Sequence, residues 1–142
     1  MSLRWLRNII FFGLIVMSLT QPSCVQAYTV NTMKDSDELR VYDSLMVFLA
    51  DPINQAVNTY YKPFLKEDVI VYDYEIYLLK IDRTESFRGF SFNLLVEVEP
   101  VVGPHLSVGR DQLLLSVSPM NPEKVKLLSY EHLETYEVSN WR

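Results

Sequence analysis

Residues 103-GPHLSVGRD-111 bring a histidine, a serine, an arginine and an aspartate into one short stretch between glycines. A His, an Arg and an Asp near a sheet edge could bind an anion or carry acid-base work. His105, Arg110 and Asp111 are therefore the candidate catalytic group, on a long connector of the kind that often carries function. The competing reading is a surface loop with glycines for its turns and a solvated Arg110-Asp111 pair. His132 is the other histidine of the chain. Two histidines build a metal site only with carboxylates, and no metal is expected. The four glycines do not cluster into a phosphate loop. There is no nucleophile elbow, zinc spacing or calcium loop, and no cofactor is implied.

A second candidate lies on a strand face. In 69-VIVYDYEIYLLKID-82, Ile70, Tyr72, Tyr74, Ile76 and Leu78 share one side, with Asp73, Glu75 and Tyr77 on the other. Tyr72 and Tyr74 fall on the presumed core side. Tyr77, with Glu97 and Glu99 of the next strand, is the candidate exposed contact for a partner. A merely solvated acidic face is the plainer reading.

Hydrophobic period gives the helices and strands that carry these residues. Asp35 and Glu38 form an acidic capping box. Leu39, Tyr42, Leu45 or Met46, and Leu49 then recur at helical spacing. Asp51 is a good N-cap and Pro52 suits a first helical position. The sequence thus predicts one helix ending near Ala50 and a second running through Ile53, Ala56, Val57, Tyr60 and Tyr61 to Lys62-Pro63, with a kink at Asp51-Pro52 in one long helix as the alternative. From Val69 the period becomes two. Strands are expected over 69–82, 89–99, 111–118 and 124–133, with a turn at 119-PMNP-122. One-sided alternation with short links argues for antiparallel pairing. The expected fold class is α+β: two N-terminal amphipathic helices packed on a four-stranded antiparallel meander, comparable to cystatin-like or NTF2-like layouts. The single domain spans 35–133, with 134–142 as a tail.

Residues 1–27 read as a secretory signal: Arg4 and Arg7, the apolar run 9-IIFFGLIVMSL-19, polar 20-TQPS-23, then Val25-Gln26-Ala27. Cleavage is expected after Ala27, and 28–34 becomes a polar linker. The apolar run is shorter than the ~20 residues that span a bilayer. Cys24 fits an acylation site poorly, because Gln21, Pro22 and Ser23 precede it. Membrane contact would require an uncleaved segment or an acylated Cys24. Without the signal the chain has no cysteine, hence no disulfide. Losing Arg4 and Arg7 leaves 11 basic against 18 acidic residues, a net charge of −7. That charge offers no footprint for nucleic acid.

Leu49-Ala50-Asp51-Pro52-Ile53, the closing Tyr60-Tyr61, Phe90-Ser91-Phe92-Asn93-Leu94 and the Gly103-Pro104-His105 loop before Gly109-Arg110-Asp111 together resemble the DUF3888 group. This is a domain of unknown function in small exported proteins of Gram-positive, spore-forming bacteria. The likeness runs over roughly 39–132 and departs at Leu106-Ser107-Val108. It implies export to the cell envelope and supplies no catalytic residue. The leading expectation is a non-enzymatic binding module whose partner is an envelope protein or wall-derived ligand. The alternatives are a small hydrolase-like envelope enzyme using the His105 loop, and an accessory or inhibitory partner of another exported protein.

Overall fold

The computed structural model describes residues 28–137. Residues 1–27, where a signal with cleavage after Ala27 and the Cys24 reading were expected, and 138–142 of the expected tail lie outside that range.

The apolar stripe of the N-terminal half forms one helix, α1, Asp37–Tyr61, in place of the two expected. Pro52 lies inside it. An internal proline costs about 3 kcal/mol, yet the buried face continues through it. Met46, Leu49, Ile53, Val57 and Tyr61 follow each other at steps of three and four, all on one side. A break at Asp51 would take Leu49 and Ile53 out of register, and both are fully buried. Packing along the whole stripe therefore outweighs the local cost. The cap also differs. Ser36, not Asp35, accepts from the Leu39 N–H at 3.2 Å, while Asp35 and Asp37 both pair with Arg40.

After α1 the segment 69–71 is extended but belongs to no sheet strand. Two asparagines one helical turn apart hold it. Asn58 bonds both the N–H and the C=O of Val69, and Asn54 does the same for Val71. This clamp buries Val69 and Val71 and leaves Ile70 half-exposed, the reverse of the expected alternation. A 3₁₀ turn at Asp73–Glu75 then resets the chain. Tyr74 is consequently exposed, not in the core.

The sheet strands are β1, Ile76–Arg83; β2, Phe92–Val98; β5, Gly109–Val117; and β6, Val125–Thr135. They pair antiparallel in the order β1-β2-β5-β6. The connector between β2 and β5 carries a small hairpin, β3, Val101–Val102, with β4, Leu106–Ser107. Ile76, Leu78, Leu94, Val96, Val98, Leu113 and Leu115 point toward α1 and form the core with its stripe. Residues 28–34 form no helix or strand, but Tyr28 donates its N–H to Leu79 C=O and stacks on Tyr42.

Candidate functional site

The hairpin separates the three expected catalytic residues. His105 sits at its tip with a left-handed φ of 63°, two residues after Gly103 at 52°. Its ring is exposed and leans on Tyr72, with centroids 4.9 Å apart. Arg110 and Asp111 are neighbours on β5, so they face opposite sides of the sheet. Arg110 points outward to Glu134 at 3.3 Å, with Glu97 at 4.0 Å. Asp111 points inward and is fully buried. The three do not converge.

A different histidine meets Asp111. β6 runs antiparallel to β5 and places His132 directly opposite. The Asp111 Oδ1 lies 2.6 Å from His132 Nδ1. The other carboxylate oxygen accepts from the Tyr61 hydroxyl at 3.0 Å, and that hydroxyl is 3.4 Å from the same Nδ1. A carboxylate can only accept, so Nδ1 donates in this contact, and in the neutral ring Nε2 is then the acceptor. Nε2 faces Thr135 Oγ1 at 2.6 Å.

Two local devices make this possible. His132 and Thr135 are three residues apart and would face opposite ways on a regular strand. The β5–β6 register slips between Arg110 and Asp111, where Glu134 pairs with Arg110 and Leu133 is left over. That bulge returns Thr135 to the His132 side. Thr135 pairs with Gly109, where a Cβ would lie 2.5 Å from the Tyr61 hydroxyl and 3.1 Å from the imidazole Cε1. Only glycine leaves room there.

Aromatic rings fix the imidazole plane. Tyr60 stacks on His132 at 5.2 Å and Tyr61 meets it edge-on at 6.0 Å. Tyr60 also stacks on Tyr130 at 4.8 Å. Burial first, and the Asp111 charge second, raise both Tyr61 and Tyr130 well above the ordinary phenol value. Both therefore remain phenols. The Tyr130 hydroxyl is buried beside the carboxylate, whose Oδ2 already accepts from Tyr61.

Tyr60 and Tyr130 also wall a groove. On one side runs the α1 row Pro52, Gln55, Ala56, Thr59 and Tyr60; on the other are Val125, Leu127 and Tyr130 of β6. The groove has a volume of about 790 Å³, and among the described residues the charged ones lining it are Glu123 and Lys126. Past Pro52 it continues as a smaller depression toward the exposed Val47 and Phe48. Among the described residues β6 is the last strand of the sheet and pairs with β5 alone.

Tyr77, Glu97 and Glu99 lie elsewhere, on the β1–β2 side. They line a depression of about 480 Å³ with residues 28–32. Burial, then Glu99, raise the Tyr77 phenol. Among the described residues no three His, Cys, Asp or Glu side chains gather as metal ligands. No helix among them is long and apolar enough to cross a membrane.

The sequence offered one unused sign of the buried cluster. With Leu113, Leu115 and Val117 inward, Asp111 has the same parity and must also face inward.

A family described as Protein of unknown function (DUF3888) matches residues 41–134, a stretch that contains Tyr61, Asp111 and His132 but stops one residue short of Thr135. No curated protein and no solved structure matches the chain.

Proposed function

This chain belongs to the DUF3888 family, and we propose that it is an exported, envelope-associated binding module that holds an extended apolar segment of another exported protein. The groove between α1 and β6 carries this reading. Its walls are apolar or uncharged over most of their length, which suits side chains more than a charged wall polymer. One wall is the strand at the edge of the sheet among the described residues, and an edge strand suits an extended polypeptide. A hydrocarbon could not pair with a strand. The bulge at Leu128 splits the edge into two short runs, which discourages indiscriminate strand pairing. A partner must therefore fill the groove with side chains as well as align its backbone.

Export rests on the layout of residues 1–27 and on the acidity of the remaining chain. The test is photo-cross-linking in cells, with the reactive side chain placed at Gln55, at Leu127 or at Tyr77. The groove reading expects Gln55 and Leu127 to capture adjoining residues of one partner segment, and Ala56→Arg to abolish that capture. Capture from Tyr77 alone would move the contact to the Tyr77, Glu97 and Glu99 face and end the groove reading.

A further inference from the structure

We propose that Thr135 is an acyl-accepting nucleophile, with His132 as its base, in a site that cleaves carboxylic esters bearing an apolar acyl chain. This goes beyond the binding role and does not require it.

Four observations converge on one hydroxyl. Asp111, fully buried, holds Nδ1–H of His132 at 2.6 Å, so that in the neutral ring Nε2 faces outward as an acceptor. Thr135 Oγ1 stands 2.6 Å from that nitrogen. The Leu133 bulge turns Thr135 to the His132 side, and the missing side chain at Gly109 leaves room there for the Tyr61 hydroxyl and the Glu134 C=O. Thr135 is exposed, so a substrate can reach it, whereas the carboxylate behind it cannot be reached. Base, orienting carboxylate and hydroxyl thus stand in the order that nucleophilic acyl transfer needs. The Tyr60 ring covers the imidazole and also ends the α1–β6 groove. An apolar acyl chain has a wall there.

The chemistry balances without a further reagent. Thr135 Oγ1 bonds to the acyl carbon as its proton passes to His132 Nε2. The bond to the leaving oxygen breaks, and the alcohol departs with that proton. Water then gives a proton to Nε2 and its oxygen to the acyl carbon. The acid leaves, and Thr135 takes its proton back. Ester and water have become acid and alcohol. Asp111 is a positioning residue: it never touches the substrate and acts by keeping the proton on Nδ1.

The purified protein is incubated with p-nitrophenyl butyrate. The expected result is a butyryl group on the peptide carrying Thr135, and nitrophenol release about 100-fold faster than by Thr135→Ala, the range for a positioned base. Thr135→Ser should restore labelling. Because Thr135 is exposed, Thr135→Ala should keep the melting temperature of the parent. Asp111→Asn offers its amide to Nδ1 and should move the ring proton to Nε2, seen by nitrogen NMR, with loss of labelling. Butyrylation confined to lysines, equal rates for Thr135→Ala, or labelling that survives Asp111→Asn would each overturn the proposal.

Discussion

The two histidines occupy opposite surroundings. His105 shares a short loop with Asp111 in the sequence, yet the hairpin carries it to an exposed tip against Tyr72. His132 is 21 residues from Asp111, and strand pairing puts the two side chains 2.6 Å apart. The His105 end has backbone strain and little packing. The His132 end has a buried carboxylate, a bulge, a glycine fitted to a hydroxyl and two stacked rings. Chemistry here is assembled by register across a sheet, not by closeness along the chain. A substitution at one end should therefore behave unlike its counterpart at the other.

The largest effect should come from Asp111→Ala. It removes the acceptor for both Tyr61 and His132, and breaking a buried pair of this kind costs about 3 kcal/mol in chemical denaturation. Next is Gly109→Ala. The added Cβ meets the Glu134 C=O and the Tyr61 hydroxyl at 2.5 Å, and overpacking of that kind costs about 2 kcal/mol. Tyr61→Phe should cost about 1.5 kcal/mol, because Asp111 loses a donor. Tyr130→Phe should change stability less than Tyr61→Phe at neutral pH, by under about 1 kcal/mol, since its buried hydroxyl makes no well-formed hydrogen bond to Asp111. At the other end, His105→Ala should change stability by less than about 0.5 kcal/mol. His105→Gly should raise it by about 0.5 kcal/mol by relieving the left-handed φ.

Alkaline pH sharpens the same contrast. Tyr61 and Tyr130 hold their protons more tightly in the folded chain than in the unfolded one. Their contribution to stability is therefore full below about pH 10, the unfolded phenol value, and is lost as the pH rises beyond it. Melting temperatures followed upward from neutral pH should fall above that point. Tyr130→Phe should make the fall shallower, and His105→Ala should leave it unchanged.

Much of the fold was legible in single residues. The expected inward face Phe90, Phe92, Leu94, Val96 and Val98 holds for Leu94, Val96 and Val98 of β2 but not for Phe90, which precedes the strand and is exposed; Leu113 and Leu115 face inward on β5 as expected. The helix stripe was also visible, but Pro52 read as a boundary because local propensity knows nothing of the packing that continues past it. Segment 69–71 misled for a similar reason. Its parity is set by Asn54 and Asn58, which lie 11 to 17 residues upstream and look like ordinary polar helix positions. The buried site was half legible. The parity of Asp111 pointed inward, but its partner depends on two bulges in β6, and bulges leave no mark in an alternation pattern. The Tyr77, Glu97 and Glu99 group does share one depression. Replacing all three should leave stability nearly unchanged, and on the groove reading it should also leave the partner bound.

The most direct test of where this molecule keeps its chemistry is a pair of double-mutant cycles in equilibrium unfolding. One couples Asp111→Asn with His132→Ala, the other couples Asp111→Asn with His105→Ala. Contacting buried groups couple by about 1–3 kcal/mol, and distant ones by less than about 0.5 kcal/mol. The account predicts the first value for His132 and the second for His105. A coupling to His105 as large as that to His132, or none to His132, would contradict it.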